Sequence, residues 1–194
     1  HEIRTPMNGV LGMAELLART NLDKRQSSFV DIIMKSGNSL LAIINDILDF
    51  SKIEAGMLDL DILKTDLVQL FEDSIDIVKF AAAEKDIELL LDVDPSMPRF
   101  AHVDGLRLKQ ILTNLLGNAV KFTIQGEVAL KISYREVDSD QGTLSISVRD
   151  TGIGIDKEQQ SKLFKSFSQA DSSTTRMYGG TGLGLVISQL LAQR

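Results

Sequence analysis

Residues 145–156, SISVRDTGIGID, and residues 179–188, GGTGLGLVIS, hold two glycine-rich turns separated by a polar segment rich in serine and threonine. Leu144, Ile146 and Val148 alternate with polar residues ahead of the first turn, a period of two that predicts a strand with one buried face. Asp150 falls at the end of that strand, where its carboxylate can accept a hydrogen bond from the amino group of a base. The second turn opens into Leu183, Leu185, Val186, Ile187, Leu190 and Leu191, a helical spacing whose first N–H groups would face a phosphate. Two such turns around a segment with little to bury suggest a nucleotide pocket with a movable cover.

Working outward, the composition bounds what kind of chain carries this pocket. With 194 residues, 43% apolar and 25% charged, it has enough apolar content for one ordinary domain or two small ones. The absence of cysteine excludes disulfides and thiolate metal sites. Charges interrupt the apolar runs, so a soluble chain without a signal-like start is expected. A net charge of -6 and an aromatic content of 5% give no electrostatic or stacking basis for binding nucleic acid. The chain opens on His1 and stops at Arg194 within a helical pattern, and is therefore read as a piece of a longer protein.

The N-terminal part reads as a helical hairpin. Met7, Val10, Leu11, Ala14, Leu17 and Ala18 form an apolar stripe. After a break in which Asn21 or Asp23 can cap the next helix, a longer helix is predicted from about 24 to about 54. Its seam, Phe29, Ile33, Ser36, Leu40, Ile43, Ile47 and Phe50, alternates four and three residues, and Ile32, Ile44 and Leu48 broaden it. Two helices cannot cover that much apolar surface, so a second copy completing a four-helix bundle is the preferred expectation over a covering domain. Gly56 is the expected helix stop, with the boundary between domains 1–57 and 58–194 beside it. Ahead of the first helix stands HEIRTP, where Pro6 is expected to kink the helix or mark its restart. A neutral imidazole at His1 can act as a nucleophile, and Glu2 is close enough in sequence to hold its tautomer. The same pair would also be an ordinary surface pair.

The second domain is predicted as an α/β sandwich. Residues 57–61 alternate and are expected to form a short strand, followed by a helix on Leu67, Leu70, Phe71, Ile75, Val78 and Ala82 and a strand over 87–93. Asp104 can cap a helix that turns Leu108, Ile111, Leu112, Leu115, Leu116 and Ala119 inward. Asn114, Asn118 and Lys121 lie on its other side, either as a functional line or as a wet face. Residues 126–137 and 142–149 predict an antiparallel hairpin, and 156–165 a short helix. An asparagine carbonyl suits magnesium, which favours oxygen ligands. Asn118 is therefore the candidate ligand, Asn114 its orienting neighbour and Lys121 a phosphate contact. Asp150, Gly152 and Gly154 would take the adenine side, Gly182 and Gly184 the phosphates. GGTGLGL matches neither the phosphate loop ending in Gly-Lys-Ser/Thr nor a dinucleotide fingerprint.

Taken together, the motifs resemble those of the sensor histidine kinases of two-component systems. HEIRTPMNGVLGM resembles the phosphoacceptor box and ILTNLLGNAVKFT the asparagine box. RDTGIGI, LFKSFSQ and GGTGLGL resemble the first glycine, phenylalanine and second glycine boxes. HEIRTPMNGV and FSQADSSTTRMYGGTGLGL are similar to hybrid kinases, which carry a receiver domain further along. The resemblance implies a dimerising phosphotransfer hairpin and a GHKL-type ATP-binding domain, with ATP and Mg2+ as cofactors and a homodimer and a receiver domain as partners. His1 would be the phosphorylated residue, Glu2 the base and Thr5 the position used in dephosphorylating the partner aspartate. Asn114, Asn118 and Lys121 would serve magnesium and phosphate. Residues 168–181 would be the ATP lid, with Arg176 a phosphate contact and Gly180, Thr181, Gly182, Leu183 and Gly184 lining the second turn. Catalysis is expected in the cytoplasm, with membrane contact only through upstream regions. Family members continue past Arg194 to a closing hairpin, so the domain is expected to be truncated at its C-terminal end. A GHKL ATPase that hydrolyses ATP would need a carboxylate base in the asparagine-box helix, where Thr113 and Gly117 supply none. A degenerate kinase acting as a scaffold is the non-enzymatic alternative.

Overall fold

The computed structural model describes residues 2–138, 141–160, 163–164 and 182–194. His1, Arg176, Gly180, Thr181, Phe167 and the lid expected at 168–181 lie outside the described residues. The chain forms two compact units, His1–Gly56 and Met57–Arg194.

The first unit is a hairpin of α1 (Arg4–Ala18) and α2 (Lys24–Glu54). α1 starts close to Pro6, as the sequence suggests. Pro6 is the third helical residue, in the first turn, where a missing N–H removes no intrahelical bond. Asp23 starts α2 with a full capping box, its carboxylate accepting from the N–H of Arg25 and Gln26 while the Gln26 side chain accepts from the Asp23 N–H. Arg4 Nη2 donates to Asn45 Oδ1 at 2.7 Å, tying the start of α1 to the last third of α2.

The apolar pattern of α2 splits into two stripes one residue apart. Val30, Gly37 and Ile53 are buried and Met34, Leu41 and Ile44 half-buried, whereas Phe29, Ile33, Leu40, Ile43 and Ile47 are exposed. One residue is about 100° around a helix, so the two stripes face different ways. A Cβ on Gly37 would lie 2.6 Å from Leu11 Cδ2, so Leu11 of α1 packs into the space where α2 has no side chain. α2 has the length and apolar content of a membrane span, but Asp31, Lys35, Asn38, Asn45, Asp46 and Asp49 along it suit water on part of its circumference.

The second unit packs α3 (Leu67–Ala83) and α4 (Gly105–Phe122) on a three-stranded sheet of order β2-β4-β5. β2 (Ile87–Val93) runs parallel to β4 (Gly126–Glu136), and β5 (Gly142–Asp150) is antiparallel to β4, as the hairpin pattern predicts. β1 (Leu63–Asp66) and β3 (Phe100–Val103) form a separate antiparallel pair. The strand expected at 57–61 is absent, and the pairing begins at Leu63, where Val103 supplies a partner. Asp66 and Asp104 cap α3 and α4 through the N–H of Gln69 and Arg107. The helix expected at 156–165 is regular over Lys157–Gln160 (α5). The last helix, α6 (Gly184–Ala192), lies against α4. Phe71, Leu112, Leu116, Val128, Leu130 and Ile132 fill the core between helices and sheet. Val128, Leu130 and Ile132 recur with the period of two that a half-buried strand requires.

Candidate functional site

α4 is the floor of the candidate site. Its inward face, Leu112, Leu116, Ala119 and Val120, is buried, which leaves Asn114, Asn118 and Lys121 half-buried on another side rather than on the wet face that the pattern alone also allowed. Asn114 Nδ2 donates to Ser188 Oγ on α6 at 2.8 Å, and Asn118 Nδ2 donates to Asn114 Oδ1 at 3.4 Å. With its amide nitrogen turned to Asn114, Asn118 presents its carbonyl oxygen elsewhere. The four-residue spacing of the two asparagines is what stacks them on one face of the helix. Ser188 is buried at 7% exposure, so the line Ser188–Asn114–Asn118 is a polar chain with internal partners.

Gly184 opens α6 against this line. A Cβ there would stand 2.3 Å from Asn114 Oδ1 and 3.0 Å from its Cγ, so any side chain would push Asn114 out of its place. The glycine after Leu183 is thus required by close approach, and Leu183 itself is buried at 1% exposure. Gly182 has φ 69°, a left-handed conformation for which glycine carries no steric cost.

The other wall is the turn after β5. Gly152 N–H donates to Asp150 Oδ1 at 2.9 Å, which fixes that carboxylate at the strand end. A Cβ on Gly152 would meet the Phe122 carbonyl oxygen at 2.5 Å, and the Ile153 N–H donates to the same oxygen at 3.3 Å. The turn therefore rests on the last turn of α4. Thr151 Oγ1 accepts from the Glu127 N–H at 2.9 Å and pins the turn to β4. Gly154 has φ 71°. Lys121 lies with its ammonium 4.9 Å from the Phe122 ring, and burial lowers its pKa below the ordinary lysine value. A nearby anion would relieve that cost of desolvation.

At the other unit, Glu2 is exposed and Thr5 lies exposed in the first turn of α1. Among the described residues no cluster of three or more His, Cys, Asp or Glu side chains could hold a metal ion.

Comparison with known proteins agrees with this division of chemistry. Residues 1–56 match the His Kinase A (phospho-acceptor) domain, and residues 103–194 match the histidine kinase-, DNA gyrase B- and HSP90-like ATPase family. The chain belongs to the sensor histidine kinases. It is 49% identical over 194 residues to the sensor histidine kinase GacS of Pseudomonas protegens, covering 100% of this chain and 21% of the relative. It is 44% identical over 191 residues to the histidine-protein kinase BarA of Escherichia coli, covering 98% of this chain and 21% of that one. Hybrid signal transduction histidine kinase B of Dictyostelium discoideum is 45% identical over 193 residues, which are 10% of its length. The chain thus spans about a fifth or less of these curated relatives. Full-length ShkA in complex with AMPPNP superposes with a TM-score of 0.80 at 38% identity, covering 100% of this chain and 39% of that one. The architecture is a helical hairpin followed by a GHKL-type α/β domain that binds ATP.

The sequence reading of this kinase core missed three contributors. Ser188 sits inside an apolar run, where its hydroxyl is indistinguishable from a surface serine until α6 meets α4. Thr151 belongs to the quoted turn, but its hold on β4 depends on the strand register. Lys85 bonds three carbonyls at the end of α4, and nothing in the residues around it signals that reach.

Proposed function

We propose that this chain is the catalytic core of a hybrid-type kinase, in which residues 1 to about 57 carry the phosphorylated histidine and residues 58–194 bind ATP and Mg2+. The supporting observation is the polar line on α4 set between two glycine approaches. Asn118 has its nitrogen committed to Asn114, and Gly184 stands against Asn114 in the middle of α4 while Gly152 stands against Phe122 at its C-terminal end. One amide oxygen together with phosphate oxygens and water fits magnesium, which rarely needs a cage of protein carboxylates. When bound, the metal would neutralise charge on the β- and γ-phosphates. Asp150 has Oδ1 committed to the Gly152 N–H and offers Oδ2 to the adenine amino group. The Lys121 ammonium would meet a phosphate oxygen, and Gly180, Thr181, Gly182, Leu183 and Gly184 would line the triphosphate. Residues 168–181 would close over it as a lid, with Arg176 on a phosphate.

An imidazole nitrogen of His1 attacks the γ-phosphorus in line, the bond to the β,γ-bridging oxygen breaks, and ADP leaves while Glu2 takes the imidazole proton. The phosphoryl group then passes from nitrogen to an aspartate oxygen on a receiver domain, and Thr5 serves the reverse removal of phosphate from that aspartate. The exposed stripe of α2 pairs with a second copy as a four-helix bundle. Catalysis takes place in the cytoplasm.

Incubation of the full-length protein with γ-labelled ATP and Mg2+ tests this reading. Label that is stable to alkali and labile to acid should appear, and should vanish in His1→Gln. Persistence of label in that variant would remove His1 from the mechanism. Asn118→Ala should lose labelling and nucleotide binding together, and chelation of Mg2+ with EDTA should reproduce the loss in the unaltered protein.

A further inference from the structure

Lys85 follows α3 in the short turn that leads to β2, yet its side chain serves α4. Its Nζ donates to the main-chain carbonyls of Val120 at 2.8 Å, Lys121 at 3.0 Å and Thr123 at 3.2 Å. An ammonium has three N–H donors, so all of them are used on a single helix end. That end carries the negative pole of the helix and several carbonyls with no partner inside it. α3 packs on α4 and both feed parallel strands, so their C-terminal ends lie side by side and Lys85, just past the end of α3, reaches the end of α4. The neighbouring carbonyl in the same turn, that of Phe122, is left for the Ile153 N–H at 3.3 Å, and Gly152 presses against it. Lys85 therefore holds from one side the helix end on which the Asp150 turn rests from the other.

We infer that Lys85 is a positioning residue for nucleotide recognition, acting through the α4 end to set Asp150 relative to Asn118 and Lys121. The inference rests on the reading of Asp150 as the acceptor for the adenine amino group. Without the ammonium, the carbonyls of Val120, Lys121 and Thr123 must turn toward water, and the oxygen that carries the Ile153 N–H moves with them.

The test compares dissociation constants for ATP and inosine triphosphate, which lacks the amino group, in the full-length protein, its Lys85→Met, Lys85→Arg and Asp150→Asn variants, with melting temperatures alongside. Lys85→Met should weaken ATP about tenfold, the scale of lost charge-assisted hydrogen bonds, and lower the preference for ATP over inosine triphosphate by about threefold or more. Lys85→Arg, which keeps charge and N–H donors, should recover part of that preference. A Lys85→Met protein that melts at lower temperature but keeps the unaltered ratio of the two nucleotides would overturn the inference and leave Lys85 a stabilising residue only. If the unaltered protein and Asp150→Asn bind both nucleotides equally, the adenine reading of Asp150 fails first and takes the inference with it. Should Lys85→Met not fold, Lys85→Gln, which retains two N–H donors on a shorter neutral chain, is judged by the same ratio.

Discussion

In α2, Ile33, Leu40, Ile43 and Ile47 are exposed at 44%, 43%, 38% and 42%, whereas in α4 Leu112 and Leu116 are exposed at 1% and 0%. Both helices are amphipathic, and both carry leucine and isoleucine at spacings of three and four. The difference lies in what their unit supplies to cover them. The ATP-binding unit has a sheet and a second helix, so α4 is covered by its own chain on every apolar position except Leu106. The hairpin has a single neighbour for a helix with two apolar stripes, and α1 covers the Val30, Gly37 stripe alone. A core covered by its own unit and a hairpin with an exposed apolar stripe thus occur in one chain, which suits the proposed kinase, in which the nucleotide unit would work as a module and the hairpin would pair with a second copy.

The comparison can be broken at its stable end first. Leu116→Ala should cost about 2–5 kcal/mol in guanidinium unfolding of the ATP-binding unit, with a midpoint that does not change with protein concentration. A loss under about 1 kcal/mol would mean that the site is less tightly packed than its burial indicates. Next, Leu40→Glu with Ile43→Glu should weaken self-association at least about a hundredfold by sedimentation, because charges would be buried in the second interface. ATP affinity should hold. In the unaltered protein the melting of the hairpin should rise with concentration, and a midpoint constant over a hundredfold range would show that the exposed stripe has no partner copy.

Smaller effects sharpen the account of the site. Gly184→Ala forces Asn114 aside and should cost about 1–3 kcal/mol of stability, with weaker nucleotide binding by calorimetry. Ser188→Ala leaves the Asn114 amide without its acceptor and should cost about 1 kcal/mol, moving ATP affinity less than Gly184→Ala does. The smallest expected effect comes from a set of carboxylates whose stabilisation is present at neutral pH and is lost only in acid. Asp66, held low by the Gln69 N–H and by Arg99, Asp73 by Gln69 and Lys109, and Asp94 by Ser96 and the Tyr134 N–H, all titrate below their ordinary value of 3.8. Their contribution is complete above 3.8 and is lost as pH falls through the depressed values. Circular dichroism should therefore show the ATP-binding unit unchanged down to about pH 5 and losing stability below about pH 4, and Asp94→Asn should flatten that decline.

Much of this was legible in the residues. Both long helices, the Asp104 cap, a cap for α2 at Asn21 or Asp23, the 126–150 hairpin and the apolar face of α4 follow from spacing and composition, because each depends on neighbours three, four or two positions away. The ladder of β1 with β3 was not legible, since strands of four residues carry almost no periodicity and Leu63 pairs with Val103, forty positions on. The alternation at 57–61 is of similar strength and pairs with nothing. The expected lid and His1, which lie outside the described residues, keep their sequence reading alone.

The sequence by itself determined the elements, the glycine turns and the residue types of the site, because helix and strand periods, caps and turn conformations are local. The tertiary structure decided which of the two apolar stripes of α2 meets α1, that Asn114 answers to Ser188, and that Lys85 holds the far end of α4. Those are contacts between segments distant in the chain, where the partner of a side chain is set by packing rather than by spacing. The two glycines quoted at the outset show both sources at once. Gly152 and Gly184 can be read as turn formers from their neighbours, but the reason that each must lack a side chain is an oxygen brought against it by α4.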